Sequence, residues 1–174
     1  PTTTSPFPNG EITMAESKVA PSRAYQKLWE FFTRTGIHPQ KGEKCLDLGS
    51  SPGGWTWVLS ELGCEVISVD KAPLAPLLQN KAHIRSLKKD AFQLKPEDIG
   101  AVDWLFSDII CYPEKLFDLV EIWRASGLVK NMLCTIKFQG KTDFATLQKF
   151  SELPGSQILH LCCNKHELTW FFKA

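Results

Sequence analysis

From Lys44 to the C-terminus, short apolar runs of strand length alternate with segments of helical period, and this alternation leaves few architectures open. Strands are predicted at 45–48, 65–69, 84–87, 102–107, 131–137, 157–163 and 167–172, with helices near 54–62, 113–126 and 142–152. Strands separated by helices pair in parallel, because the connection has to return to the end of the sheet where the strand began. Trp104-Leu-Phe106 and Met132-Leu-Cys-Thr-Ile136 are almost continuously apolar, as strands covered on both faces must be. Only about Asn164 to His166 separate the last two runs, too few residues for a crossover helix, so these two are expected to form an antiparallel hairpin. The expectation is an α/β fold with a mostly parallel sheet, helices on both faces and a C-terminal antiparallel hairpin.

Upstream, residues 1–21 contain Pro1, Pro6, Pro8 and Pro21 among Thr, Ser and Gly10, a composition that favours an extended arm or linker over a helix. Ser22 is the expected cap of a helix that runs to about Thr35 and is closed by Gly36 and Pro39. At helical period Tyr25, Leu28, Trp29 and Phe32 share one face, while Arg23, Lys27 and Arg34 share the other and read as a basic outer stripe. Residues 22–174 thus read as one domain, large enough to bury a core without disulfides or a structural metal. The first residue is Pro1 and not a start methionine, so a longer parent chain is expected.

Twenty basic residues against 19 acidic ones give a net charge of +1, so no global field draws the chain to polyanions. Any such binding must come from local patches. One candidate is Arg23, Lys27, Arg34, Lys41 and Lys44, opposed only by Glu30 and Glu43; another is Lys81, His83, Arg85, Lys88 and Lys89. The six cysteines, Cys45, Cys64, Cys111, Cys134, Cys162 and Cys163, include no Cys-x-x-Cys pair and are expected to be reduced thiols. No Cys/His spacing suits zinc, so no metal site is expected. With no apolar stretch of bilayer length and no signal pattern, the expected setting is the cytoplasm and the expected state a soluble monomer.

In an open parallel sheet, ligands bind beyond the carboxyl ends of the strands. Leu46-Asp-Leu-Gly49 supplies a strand end there, and Ser50-Ser-Pro-Gly-Gly54 a turn whose glycines let backbone approach a ligand. The spacing Gly49-x-x-x-Gly53-Gly54 does not fit the dinucleotide pattern G-x-G-x-x-G, and no Gly-Lys-Ser/Thr follows for phosphates. Nicotinamide and nucleoside triphosphate ligands are therefore disfavoured. Asp70, Asp90 and Asp108 fall at the ends of successive strands. A lone aspartate there would read as a helix cap or a solvated turn. Three in register with a glycine turn suggest a ligand, Asp70 for the two hydroxyls of a ribose and Asp90 for an adenine amino group.

Asp47-Leu-Gly-Ser-Ser-Pro-Gly-Gly-Trp-Thr56 resembles the cofactor motif of the FtsJ/RrmJ family of ribose 2′-O-methyltransferases. Ser5-Pro-Phe-Pro-Asn-Gly10, Pro21-Ser-Arg23 and Ser68-Val-Asp70 are further similar to the branch of that family that methylates a cytidine of bacterial 23S ribosomal RNA, although Ser51 stands where that branch usually has Cys. The resemblance implies a seven-stranded Rossmann-like sheet, the class I methyltransferase fold, over 22–174. It also implies S-adenosyl-L-methionine as cofactor, held by Ser22, Gly49, Ser51, Pro52, Gly53, Gly54, Trp55, Asp70, Asp90 and Asp108, and ribosomal RNA as partner.

The family's Lys-Asp-Lys-Glu tetrad has counterparts in Lys27 of Ser22-Arg-Ala-Tyr-Gln-Lys27, Asp108 of Phe106-Ser-Asp108, Lys137 of Thr135-Ile-Lys137 and Glu167 of His166-Glu167. A ribose 2′-hydroxyl is a poor nucleophile, so methyl transfer needs it aligned and its proton accepted as the bond forms. The resemblance makes Lys137 or a water the acceptor, Asp108 the group that orients Lys137, and Glu167 an anchor for Lys27 or the ribose. Trp55, Trp57, Tyr112 and Phe138 are candidates to stack on a base. Two alternatives compete. A base-amino methyltransferase would carry an Asn/Asp-Pro-Pro-aromatic run where Ser107-Asp-Ile-Ile-Cys111 stands, and a catalytically silent RNA-binding module would have no use for all four tetrad residues.

Overall fold

A computed structural model describes Phe7, Ile12 and residues 16–174. Most of the expected N-terminal arm lies outside these. Helix α1 (Tyr25–Thr35) leads into β1 (Lys44–Leu48), α2 (Gly54–Glu61), β2 (Glu65–Asp70), a short α3 (Pro76–Gln79) and β3 (Ile84–Lys88). A 3-10 turn (Ala91–Gln93) and α4 (Pro96–Ile99) connect to β4 (Val102–Ser107), then follow α5 (Pro113–Ala125), β5 (Val129–Lys137), α6 (Phe144–Glu152), β6 (Ser156–Leu159) and β7 (Glu167–Lys173). The strands form one sheet in the order β3-β2-β1-β4-β5-β7-β6. β1 to β5 pair in parallel, and β7 is antiparallel to both β5 and β6, so among the seven strands β7 alone is reversed.

The expected hairpin is present, but β7 folds back between β5 and β6, and β6 is shorter than 157–163. It ends at Leu159 because the Cys162 and Cys163 amides donate to the Glu30 carboxylate of α1 at 2.7 and 3.2 Å. Backbone donors committed to a helix side chain cannot extend a strand ladder.

Ser22 is not the cap of α1. The helix starts at Tyr25 with Ala24 at the N-cap and no side-chain cap bond, while Ser22 packs against α2, where a Cβ on Gly54 would collide with its hydroxyl. At the other end Gly36 takes the left-handed conformation (φ 68°) and its amide donates to the Phe32 carbonyl at 2.9 Å.

Successive strand residues point to opposite faces, so the sheet separates two cores. On one face α5 and α6 cover Leu46, Leu105, Met132, Ile136, Trp170 and Phe172. On the other α1 and α2 cover Cys45, Val66, Trp104, Phe106, Leu133 and Phe171. The same parity puts Asp47, Lys137 and Glu167 on the α1 side, and Asp108, just past the end of β4, follows Trp104 and Phe106 there.

Candidate active site

At the carboxyl edge of the sheet the chain leaves β1 through Gly49, whose amide donates to the Val69 carbonyl at 2.8 Å. Its φ of 72° and its contact with Ile109 leave no room for a Cβ. Gly53, at φ 114°, opens α2, and a Cβ there would run into Leu78. Asp70 ties this turn to β2: one carboxylate oxygen accepts the Ser51 amide at 3.0 Å and the other the Ala72 amide at 2.9 Å. Pro52 is exposed, and its carbonyl accepts the Ala75 amide at 2.9 Å.

Two clefts open on either side of Gly49. A narrow one of about 50 Å³ is bordered by Ser22, Asp47, Ser50, Ser51, Gly54, Trp55 and Asp108. A wider one of about 220 Å³ is bordered by Asp70, Lys71, Asp90, Phe92, Ile109 and Lys115. Asp90 also caps the 3-10 turn by accepting the Phe92 amide at 3.0 Å and pairs with Lys71 at 2.8 Å. The Lys71 ammonium and the Phe92 amide hold its carboxyl below the ordinary value. Trp55 is buried, donating its indole N–H to the Ala24 carbonyl at 2.9 Å and meeting Phe106 edge-on.

The four residues of the tetrad form one network. Lys27 Nζ lies 2.9 Å from Asp108 Oδ1 and 2.6 Å from Glu167 Oε1. Lys137 Nζ lies 3.0 Å from the same Asp108 Oδ1 and donates to the Asp108 backbone carbonyl at 2.6 Å. Asp108 therefore holds two ammonium groups on one oxygen. The register Lys137↔Glu167 across β5 and β7 brings those two to one spot. The side chains are only 12 to 17% exposed, so the pairs are weakly screened. Burial pulls the Lys27 ammonium down, but Asp108 and Glu167 outweigh it and the net shift is upward. Lys27 is thus a fixed cation and not part of a solvated stripe.

The stripe expected on α1 dissolves further. Arg34 pairs with Glu30 at 3.0 Å, and Lys44 begins β1 at the far edge of the sheet, which leaves Arg23 exposed near the site. Glu30 itself is buried. Burial raises its carboxyl, but the Cys162 and Cys163 amides, the Cys163 thiol and Arg34 hold it below the ordinary value. The second basic patch also divides. Lys81 pairs with Glu61 at 3.1 Å and His83 meets Ser60 at 2.8 Å, whereas Lys88 and Lys89 border a cleft of about 490 Å³ beside Asp90.

Asp47 was not singled out by sequence. It is buried in β1, accepts from the Thr56 hydroxyl at 2.6 Å, and borders the narrow cleft with Asp108. Burial pushes its carboxyl up to about 7; the Thr56 hydrogen bond opposes this, and the charges of Asp108 and Asp70 add to it. The signal was an acid between apolar neighbours in Cys45-Leu-Asp-Leu48, an expensive place for a charge without a purpose. On the other side of the tetrad, Lys27 and Glu167 border a third cleft of about 430 Å³ with Arg23, Gln26, Cys163 and Lys165. Of the stacking candidates, Trp55 and Phe138 are buried, Trp57 packs edge-on against Tyr25, and Tyr112 is exposed. Among the described residues all six cysteines are free, no cluster of His, Cys, Asp and Glu suits a metal ion, and no helix is long and apolar enough to cross a membrane.

A parallel sheet in this strand order with one reversed strand, a glycine turn after β1 and an acid-lined cleft at its carboxyl edge define a Rossmann-like class I methyltransferase domain. Residues 20–149 match the sequence model of the FtsJ-like methyltransferase family, and the chain belongs to that family. It is 32% identical over 146 residues to the ribosomal RNA large subunit methyltransferase M of Halorhodospira halophila, covering 82% of this chain and 42% of that protein. Against the protein of the same name from Alkalilimnicola ehrlichii it is 35% identical over 140 residues, covering 76% and 38%. The chain thus spans about two fifths of the length of these curated relatives. A crystal structure described as a ribosomal RNA methyltransferase from Plasmodium falciparum shares the fold with a TM-score of 0.65 at 15% identity, over 88% of this chain and 97% of that one.

Proposed function

We propose that this chain is the catalytic unit of a cytoplasmic, S-adenosylmethionine-dependent ribose 2′-O-methyltransferase that acts on ribosomal RNA, with a 23S-type cytidine as target. The observation that carries the reading is the single Asp108 oxygen shared by Lys27 and Lys137 at the junction of two clefts, one beside the glycine turn and one open to a large substrate. The names of the family and of the longer relatives support the substrate class.

The clefts fit the cofactor. A sulfonium and an ammonium suit a narrow space bordered by Asp47 and Asp108, where Ser50 Oγ is buried without a protein partner. Asp70 keeps spare lone pairs beyond its two backbone amides for a ribose diol, and the wide cleft around Asp90, Phe92 and Ile109 has room for a purine. When bound, the cofactor supplies an electrophilic methyl group. The chain's own part is to position and to move a proton. Glu167 and Asp108 fix Lys27 as a cation, and Asp108 directs the Lys137 ammonium with two acceptors, its carboxylate and its carbonyl. The 2′-hydroxyl proton passes to a water beside the Lys137 ammonium, or to the Lys137 amine once that nitrogen has given up its own proton. A set preorganised by burial needs little rearrangement at the moment of reaction.

The test is methyl incorporation from labelled cofactor into ribosomal RNA of cells lacking the gene, followed by nuclease digestion. The label is expected in a 2′-O-methylnucleoside; label in a base would sink the ribose assignment, and none at all would favour a silent module. Cofactor alone should raise the melting temperature, less so after Asp70→Ala. Equal protection of wild type and variant would remove Asp70 from the cofactor site.

A further inference from the structure

The two loops that leave the tetrad-bearing strands β4 and β5 expose large apolar side chains. Among the described residues only six such side chains are exposed, and three of them, Ile110 at 79%, Tyr112 at 63% and Phe144 at 73%, lie here. Ile110 and Tyr112 follow Asp108 by two and four residues, and Phe144 follows Lys137 by seven. Tyr112 precedes α5 and Phe144 opens α6, at the same end of the two helices, which pack together through Phe117 and Phe150 at 5.1 Å. Tyr112 makes no side-chain cap bond. Among the described residues its ring meets no other aromatic ring. Nothing in the fold explains leaving an aromatic face in water at this point.

We propose that Tyr112, with Ile110 on the same loop and Phe144 at the start of α6, is a stacking ledge for an unpaired base next to the ribose that the tetrad engages, so that the chain selects single-stranded RNA. The proposal rests on the reading of the chain as an RNA ribose methyltransferase and narrows its substrate. Every base has a π-face, and stacking on aromatic side chains is how proteins hold single strands without a duplex. In a helix those faces are already covered by neighbouring bases, so an aromatic ledge rewards only a splayed-out nucleotide. The charge is complementary: the cleft on the other side of Lys27 is bordered by the exposed Lys165 and by Arg23, whose exposed pair with Glu16 at 3.1 Å is weak enough for a phosphate to displace. Apolar ledge on one flank and cations on the other match the two sides of one strand, base and backbone. The buried Trp55 and Phe138 cannot serve.

Two measurements on wild type, Tyr112→Ala and Tyr112→Phe test this. The first is titration of a single-stranded oligoribonucleotide carrying 2-aminopurine, and of the same strand in a duplex. The second is methyl transfer to unmodified ribosomal RNA. Wild type and Tyr112→Phe should quench the single-stranded probe, while Tyr112→Ala binds it about tenfold more weakly, loses the quenching and shows the loss in KM more than in kcat. Cofactor protection should be the same in all three, since the ring is exposed and its loss leaves the fold intact. If Tyr112→Ala matches wild type while wild type methylates RNA, or if the duplex binds as tightly as the single strand, the ledge is refuted and the enzymatic reading stands. Wild type that binds cofactor but neither binds nor methylates RNA overturns both.

Discussion

The two faces of the sheet solve different problems with the same strands. Beneath α5 and α6 the core is made of Leu, Val, Ile, Met, Phe and Trp, and among the described residues neither buried acid lies there. Beneath α1 and α2 the core is as apolar in its bulk, yet both buried acids, Glu30 and Asp47, belong to it, and Lys27, Asp108, Lys137 and Glu167 stand at its carboxyl edge. An apolar core stabilises without regard to direction. A buried charge is tolerated only where partners are fixed, so the second face is specified group by group. One layer supplies cohesion and the other carries the network proposed for chemistry, and substitutions on each should fail in different ways.

The largest expected effect is on the charged face and leaves stability nearly untouched. Lys137→Ala removes the nitrogen proposed to handle the 2′-hydroxyl proton, and methyl transfer should fall by about a hundred- to ten-thousandfold. Asp108 keeps Lys27, and the chain should still gain thermal protection from cofactor. A loss below tenfold would reject a proton-handling role for Lys137. On the apolar face the reverse is expected. Phe150 is fully buried between Phe117 and Trp170, with ring centroids at 5.1 and 5.3 Å. Phe150→Ala should cost about 3–5 kcal/mol in denaturant melts. Methyl transfer per folded molecule should be unchanged at low temperature; an activity defect without a stability defect would erase the division between the faces.

Glu30→Ala lies between these extremes. It removes the acceptor of the Cys162 and Cys163 amides and the ion-pair partner of Arg34, and should cost about 2–3 kcal/mol. Because Cys163 and Glu167 border the cleft proposed for substrate, the variant should also raise the KM for RNA, which Phe150→Ala should not do. A Glu30→Ala protein with normal KM would make the β6–β7 connection a purely structural element.

The same contrast explains what the sequence could tell. Period-2 and continuous apolar runs located all seven strands, because the apolar face is written in composition alone. The motif around Gly49 and the tetrad were legible as local strings. Partners that meet only in three dimensions were not. Lys27 read as a solvated stripe because helical period counts neighbours on α1 and cannot see β7, which brings Glu167 to it. Ser22 read as a cap because nothing local reveals that α2 presses on it. The early end of β6 depended on Glu30, 132 and 133 residues from the amides it holds.

Asp47 gives the sharpest distinction between the faces. Its carboxyl titrates at about 7 in the folded chain because it is buried and lies near Asp108 and Asp70. In the unfolded chain it ionises at the ordinary value, near 4. Between those two values the folded state holds a proton that the unfolded state has released, so stability falls as pH rises from about 4 to about 7 and is level above. One such group contributes a slope of at most about 1.4 kcal/mol per pH unit. Asp47→Asn keeps the shape and an acceptor for Thr56 and cannot ionise, so it should flatten that part of the profile and gain on the wild type at pH 8 more than at pH 5. Phe150→Ala should shift the whole profile down with its slope intact. If Asp47→Asn leaves the slope unchanged in paired urea melts, Asp47 is already ionised in the folded chain, and the charged face carries one more anion than its geometry suggests.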